Sequence, residues 1–475
     1  MSKFSGRIRR PLAVAFLSSV LLSCGGALVT AGISGTGIVV GVLTGFGSIY
    51  VNGVEYDIEN ATFDIDGVQY DSAAEAQQNM SLGMVVRLEA EDKGDGTGIA
   101  YRVVYDDSVE GPIEQTPVTV NGDPNRLSFT VLSREVQVDA VGTTFDGIDF
   151  AGLDQSVVVE VSGFTDGDGV IHATRVEGKG EVVPGTTPVE LHGRVATLAS
   201  DSFMLDGVLV HFDDQTRFED MQPGDLANGL RVEVKGVYQS DGSVSARKIE
   251  GETDDDNEVP TSDGTVELQG IVYGFVSVSE FRLGDVTVDA SALDASVTAR
   301  LANGVQVEIK GQMDNGTLIA ESIKYRGAEA ELKADVMDVN PNASTITVSL
   351  GAGNELTLQV TAESLLKDDL DGSGDAALTL ADLAAQIPPP LAAELSMRQQ
   401  GDDWLLVVLK LKNGIDKYEV EGTLEAVGTD TVTLFGLTLP LDPSVSVPAG
   451  LQAGDSIEAK DNDKDGDIDE IEADD

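Results

Sequence analysis

The chain has 475 residues, of which 30 are basic and 82 are acidic, so its formal charge is −52. A hydrophobic content of 41% is too high for a disordered acidic tail, and we expect a folded polyanion long enough for several domains. Nucleic acid is excluded as an expected partner, because binding of phosphates requires clustered lysine and arginine.

The N-terminal residues 1–23 have the pattern of a signal peptide. Basic residues between positions 3 and 10 precede the apolar run Leu12–Leu22, which is too short to span a bilayer. The run ends in Leu21-Leu22-Ser23-Cys24, which resembles the lipobox of bacterial lipoproteins. The resemblance implies cleavage after Ser23 and lipid attachment to Cys24, and Gly25 in place of Asp favours the outer membrane. The alternative is an ordinary signal peptide that happens to contain a cysteine.

Residues 24–36 are rich in Gly, Ala, Ser and Thr, and they read as a flexible tether between the lipid and the folded part. Cys24 is the only cysteine of the chain, so no intrachain disulfide is expected. The membrane, reached through the N-terminal lipid, is therefore the first predicted partner.

The stretch 189–250 shows the repeating unit of the chain most clearly. Val232 and Val234 alternate with charged residues, a period of two that predicts a strand with one apolar face. Asp206-Gly207 is a strong signal for a tight hairpin turn. Three runs, a longer connection and a final hairpin give the strand order of a small OB-like barrel. The five runs are Val189–Leu198, Ser202–Leu205, Val208–Phe212, Leu230–Tyr238 and Ser243–Glu250.

Variants of this unit recur along the chain. We therefore predict an all-β protein, a tandem array of small five-stranded OB-like antiparallel barrels, with a short helix Leu378–Ile387 in the fifth repeat. We expect each repeat to enclose its own core, like beads on a string, with or without packing between neighbours. The predicted repeats are 37–109, 110–181, 187–252, 264–327, 330–412 with an insertion at 361–401, and 416–475.

Three features of these repeats resemble one bacterial family. They are the stretch GFGSIYVNGVEYD at 45–57, the Gly111-Pro112 opening of repeat two, and the similar strand sequences RVEVKG at 231–236 in repeat three and VQVEIKG at 305–311 in repeat four. They resemble the lipoprotein family with domain of unknown function 5666, over most of the mature chain and best in repeats one to four. The resemblance implies OB-like domains in the cell envelope, and it implies no activity or catalytic residue.

The acidic C-terminal segment has the spacing of an EF-hand calcium loop, with Gly466 at the sixth position. Calcium requires several oxygen ligands on a sharply turned loop, which this spacing supplies. Flanking helices are not predicted, so the alternative is an acidic hairpin turned at Asp465-Gly466. The candidate calcium ligands are Asp461, Asp463, Asp465, Asp467, Asp469 and Glu472.

A second acidic segment, in the fifth repeat, resembles the loop and helix of dockerin-type calcium modules. The distance from its last glycine to the helix is two residues too long, which puts the twelfth-position ligand in doubt. A solvated Asp/Gly loop is the alternative. The candidate ligands here are Asp369, Asp371, Ser373, Asp375 and Asp382.

Catalysis has little support in the sequence. His172, His192 and His211 lie in separate predicted strands, and we expect them to be ordinary surface or half-buried residues rather than ligands. No G-x-S-x-G motif or phosphate-binding loop occurs. We therefore predict a non-enzymatic, lipid-anchored envelope protein that acts as a spacer or binds an envelope protein or polysaccharide. The alternatives are a calcium-responsive assembly or adhesion protein and, least supported, an envelope hydrolase.

Overall fold

The structure, a computed structural model, describes residues 37–251, 264–370, 375–400, 403–448 and 450–473. Strands make up 56% of the chain and helices 6%, so the predicted all-β class is confirmed. Repeat one contains β1 (Gly37–Gly45), β2 (Ile49–Val51), β3 (Val54–Asp57), β4 (Thr62–Ile65), β5 (Val68–Tyr70), the helical turns Ala73–Ala76 and Gln77–Asn79, β6 (Val85–Asp92) and β7 (Thr97–Tyr105), and repeat two contains β8 (Val109–Pro112), β9 (Val118–Val120), β10 (Asp123–Val131), β11 (Arg134–Asp139), β12 (Thr144–Asp146), the 3₁₀ turn Phe150–Gly152, β13 (Val157–Thr165) and β14 (Ile171–Glu181).

The turns of repeat three fall where the sequence predicts them. Asp206 and Gly207 have φ angles of 44° and 98°, the left-handed conformation that a tight hairpin requires. Repeat three contains β15 (Pro188–Ala196), β16 (Ser202–Leu205), β17 (Val208–His211), β18 (Arg217–Glu219), the 3₁₀ turn Pro223–Asp225, β19 (Arg231–Tyr238) and β20 (Val244–Gly251), and repeat four contains β21 (Thr265–Ser277), β22 (Glu280–Leu283), β23 (Val286–Asp289), the helical turn Ala295–Thr298, β24 (Gln306–Asp314) and β25 (Thr317–Tyr325).

The insertion in repeat five is shorter than the predicted 361–401. The last residues of the predicted range, Leu391–Gln400, form a strand of the barrel and not part of an insertion. They do so although the Ala, Leu, Glu and Met residues of this strand favour a helix by local propensity. Repeat five contains β26 (Ala330–Asn340), β27 (Thr345–Ser349), β28 (Glu355–Gln359), β29 (Leu365–Asp368), β30 (Ala376–Ala377), the helix Leu380–Gln386, β31 (Leu391–Gln400) and β32 (Asp403–Leu411), and repeat six contains β33 (Tyr418–Thr423), β34 (Ala426–Val427), β35 (Thr431–Leu434), β36 (Leu437–Pro440), β37 (Ser456–Asp461) and β38 (Glu470–Ala473).

Four of the six repeats close in the OB-like order. In repeat three, β15 pairs with β16, β16 with β17, β17 with β20 in parallel, β20 with β19, and β19 with β15 again. Repeats one, four and five close through the same five-membered order. This agrees with the predicted OB-like barrel, in which closure removes exposed sheet edges.

The barrels do not lie as beads on a string. The opening strand of each barrel pairs with the opening strand of another: β1 with β21, β8 with β15, and β26 with β33. Repeat one therefore joins repeat four, repeat two joins repeat three, and repeat five joins repeat six. Residues 35–475 form one compact unit.

The apolar cores follow this pairing in part. The cores of repeats two and three are continuous, as are those of repeats five and six, whereas repeats one and four keep separate cores. Within the described part of the chain, every helix is too short or too polar to cross a bilayer.

Candidate binding sites

The C-terminal acidic loop joins β37 to β38, which are antiparallel neighbours, so the predicted hairpin is present. Asp461 is only 1% exposed, and its carboxylate accepts hydrogen bonds from the backbone N–H of Lys464 at 2.6 Å and of Gly466 at 2.7 Å. Carboxylate oxygens of Asp461, Asp463 and Asp465 lie within 4.8 Å of one another. Desolvation and the neighbouring Asp465 carboxylate raise the pKa of Asp463. The loop thus brings three of its predicted calcium ligands together.

The other three predicted ligands of this loop have different contacts. The backbone N–H of Asp467 donates to a carboxylate oxygen of Asp465 at 3.0 Å, and Asp469 accepts a hydrogen bond from the backbone of Asn462 at 2.7 Å. Glu472, at the twelfth position, accepts a hydrogen bond from the Lys460 ammonium at 3.0 Å. The carboxylate that would complete an EF-hand site is therefore paired with a lysine of β37.

The carboxylates of the second acidic segment are paired with lysines. Asp369 accepts a hydrogen bond from Lys412 at 2.7 Å. Asp375 lies between Lys367, at 3.3 Å, and Lys410, at 3.1 Å, and its side chain is fully buried. Burial lowers the pKa of Lys367 to about 8, against the opposing effect of Asp375. The two carboxylates are thus neutralised by lysines, and they share Lys410, which lies 3.5 Å from Asp369 and 3.1 Å from Asp375.

The last predicted ligand of this segment has a capping role. Asp382 and Thr379 form a capping box at the start of the helix, in which the Asp382 carboxylate accepts hydrogen bonds from the Thr379 backbone at 3.1 Å and hydroxyl at 2.5 Å. Asp371, Ser373 and the predicted lipid site Cys24 lie outside the described residues.

A cavity of about 770 Å³ lies where repeats one, two, four, five and six meet. Its size falls within the range of small-molecule sites, which commonly occur between domains. Side chains from non-neighbouring repeats line it, for example Thr44, His172, Arg326, Arg398 and Glu421. The cavity therefore depends on the packing of the barrels and not on any single repeat.

One wall of the cavity contains arginines that are already neutralised. Arg326, 7% exposed, pairs with Glu308 and Glu363, and Arg398 donates to Glu363 at 2.6 Å and to the Tyr325 carbonyl at 2.9 Å. Burial alone would raise the pKa of Glu363, but the two guanidinium groups outweigh it and lower that pKa. This wall consequently offers hydrogen-bonding groups with little excess charge.

Another part of the cavity lining is acidic. Glu331 on β26 lies directly across from Glu421 on β33 and from Ser396 on β31. Burial, together with Asp139 and Glu421, raises the pKa of Glu331 well above its usual range. The Ser396 hydroxyl is buried and, among the described residues, has no hydrogen-bond partner. We call Asp139, Glu331 and Glu421, with the Ser396 hydroxyl, the acidic wall.

The histidines differ from one another in their side-chain contacts, which the sequence did not indicate. His172 contacts Asp166 at 2.8 Å, a local pair within one hairpin. His192, in contrast, has a ring nitrogen within 4.8 Å of carboxylate oxygens of both Asp107 and Glu190. Asp107 lies in the connection between β7 and β8, far from His192 in the chain. No local spacing in the sequence could therefore indicate this cluster.

Comparison with known families gives one match. The model of the family described as "Domain of unknown function (DUF5666)" matches residues 110–177, 192–250 and 261–324, which correspond to repeats two, three and four. The expected resemblance is thus found over these repeats, and the stretch at 45–57 lies outside the matched segments. No curated protein matches the chain.

Proposed function

We propose that the protein is a non-catalytic binding protein of the bacterial cell envelope, held by a lipid on Cys24, and that the cavity between the repeats is its ligand site. The observation that carries the proposal is the cavity of about 770 Å³, built from side chains of five repeats. A role as a simple spacer has less support, because paired barrels give a compact body rather than an extended one.

The chemistry of the cavity favours a small polar ligand with a cationic group. The acidic wall would attract an ammonium group, and an ion pair in a partly desolvated site is stronger than one in water. The unsatisfied Ser396 hydroxyl would hydrogen-bond a ligand oxygen or nitrogen. An amino sugar has both kinds of group and agrees with a polysaccharide partner in the envelope.

Ligand binding is expected to depend on Glu331. In calorimetry, glucosamine, the glucosamine disaccharide with free amino groups, and spermidine should bind the wild-type chain, whereas glucose and glucuronate should not. Glu331→Gln should weaken binding about 10- to 100-fold, the usual effect of losing a charge-assisted hydrogen bond. Glu355→Gln, on an exposed position of β28, is the matched control and should bind like wild type. Equal binding by both variants, or none by the wild type, would reject the cavity as the site.

Lipidation is expected to depend on Cys24, the only cysteine. Cys24→Ser should accumulate as an unprocessed precursor that incorporates no labelled fatty acid and no longer stays with membranes after a salt wash. Several buried acyl chains, at about 0.8 kcal/mol per methylene, are what would anchor the wild type stably. A variant that still labels and fractionates with membranes would contradict the lipoprotein proposal.

A calcium-responsive role is the second candidate, favoured by the grouping of Asp461, Asp463 and Asp465. Calcium at a hundredfold excess over its Kd should raise the free energy of unfolding by about 2.7 kcal/mol. Extracellular calcium modules often bind only at about 0.1 to 1 mM, so the titration should extend into millimolar calcium. Asp463→Asn/Asp465→Asn, at exposed positions, should abolish this gain, since it removes ligand charge but keeps the buried Asp461.

Two controls separate binding at this loop from general screening of the negative charge. Asp369→Ala/Asp371→Ala should keep the calcium-dependent gain, although loss of the Lys412 contact lowers its stability at all calcium concentrations. Magnesium should give a smaller gain than calcium. If magnesium and calcium act alike on all three proteins, the loop is an acidic hairpin and not a calcium site.

A further inference from the structure

Three glutamates lie side by side where repeats two and three share a sheet. β8 is flanked by β13 and β15, and the register places Glu110 directly across from Glu160 on one side and Glu190 on the other. Like charges at directly opposed positions destabilise a sheet. Burial raises the pKa of Glu110 to about 7, and the carboxylates of Glu160 and Glu190 add to this effect. Such a row requires compensation by positive charge.

Two lysines contact the outer members of the row. Lys179 contacts Glu160 at 2.5 Å, and Lys235 contacts Glu190. Glu160 also accepts a hydrogen bond from the Tyr105 hydroxyl at 3.0 Å. The positive charge is therefore committed to the two ends of the row.

Asp107 adds a fourth carboxylate that these lysines do not reach. It is 3% exposed, and neither of its carboxylate oxygens has a hydrogen-bond partner among the described residues. One of its oxygens lies within 4.8 Å of ligand atoms of Glu190 and His192, and an oxygen also lies within 4.8 Å of Glu110 and Glu160. A buried carboxylate without a partner is costly, so its position calls for a cation or a proton.

The nearby His192 favours a metal cation over a proton as the partner of Asp107. It follows Glu190 by two residues, on the same face of β15, and its side chain is 19% exposed, which leaves a route to solvent. Imidazole nitrogen with carboxylate oxygens is a donor set for first-row transition ions, whereas calcium and magnesium prefer oxygen alone. We propose that Asp107, Glu190 and His192 bind one divalent first-row transition-metal ion.

The test uses the full chain, stripped with chelator and titrated with Zn²⁺ in high salt to suppress general binding to the acidic surface. Calorimetry should show one tightly bound Zn²⁺ per chain, with no matching heat from Mg²⁺ or Ca²⁺. Asp107→Asn and His192→Gln should each weaken this binding by about tenfold or more. His211→Gln, a histidine of the same barrel, and Glu355→Gln, on an exposed position of β28, are matched controls and should bind Zn²⁺ like wild type.

A spectroscopic arm does not depend on the folding of any variant. The wild-type chain loaded with Co²⁺ should give visible d–d absorption bands that one equivalent of Zn²⁺ removes. If no stoichiometric ion binds, or if Asp107→Asn and His192→Gln bind Zn²⁺ as the controls do, the proposal is overturned. Absence of Zn²⁺ binding, together with higher stability of Asp107→Asn at neutral pH, would show instead that Asp107 is held as a neutral, protonated carboxyl group.

Discussion

Asp375→Ala is expected to lower the free energy of unfolding by about 3–5 kcal/mol, the usual result of removing one partner from a buried ion pair. Lys367 has no exposed side-chain surface and Lys410 only 3%, and both contact the Asp375 carboxylate. The same carboxylate accepts the backbone N–H of Phe145 at 2.9 Å, so it also links repeat five to repeat two. Urea unfolding monitored by far-UV circular dichroism measures the loss.

Two variants make this result interpretable. Asp382→Ala removes an exposed carboxylate of the same segment and should cost only about 1 kcal/mol, the effect of losing a helix cap. Lys367→Met/Asp375→Ala should lose less than the sum of the single changes, because Asp375→Ala leaves the buried Lys367 without its carboxylate and the second change removes that cost. A loss for Asp375→Ala no greater than that for Asp382→Ala would mean that the buried network contributes little to stability.

The barrels themselves could be predicted because their signals are local. Period-two patterns and Asp-Gly turns place β16 at Ser202–Leu205, as expected, and repeat three then closes through pairings within the repeat. The sequence does not predict strand β31, because its residues favour a helix. In the folded barrel, pairing with β26 and β32 overrides that preference. The pairing of repeat one with repeat four has no local signal at all, since it joins opening strands that are far apart in the chain.

The candidate sites also differ in whether a local pattern in the sequence indicates them. The grouping of Asp461, Asp463 and Asp465 follows from their spacing along one loop. Asp375, in contrast, has the spacing of a loop ligand but meets lysines from β29 and β32, which only the folded barrel brings to it. The cavity and the cluster around Asp107 are built across repeats, so their residues carry no common motif.

Acidification from pH 8 to pH 5 is expected to stabilise the protein. Burial, and then repulsion by Glu308, raises the pKa of Glu267 to about 7, and burial also raises the pKa of Glu331 on the acidic wall well above its usual range. An acid whose folded pKa exceeds its unfolded value contributes stability that is complete below the unfolded pKa and is lost as pH rises through the folded pKa. For Glu267 that window extends from about 4.5 to 7, and its effect is on the order of 2–3 kcal/mol.

Groups with shifts in the other direction act outside this pH range. Glu363, whose pKa is lowered, loses its contribution only below its unfolded value of 4.5. Lys367, with a pKa of about 8, is half deprotonated at pH 8, and most of its effect on stability falls at more alkaline pH. Urea unfolding at pH 5 and pH 8 therefore reports mainly the raised carboxyl groups. Glu267→Gln should reduce the difference between the two pH values, whereas Glu280→Gln, exposed on β22, should leave it unchanged. A wild type that is equally stable at both pH values would mean that these buried carboxyl groups are ionised at neutral pH and compensated by cations, as we propose for Asp107.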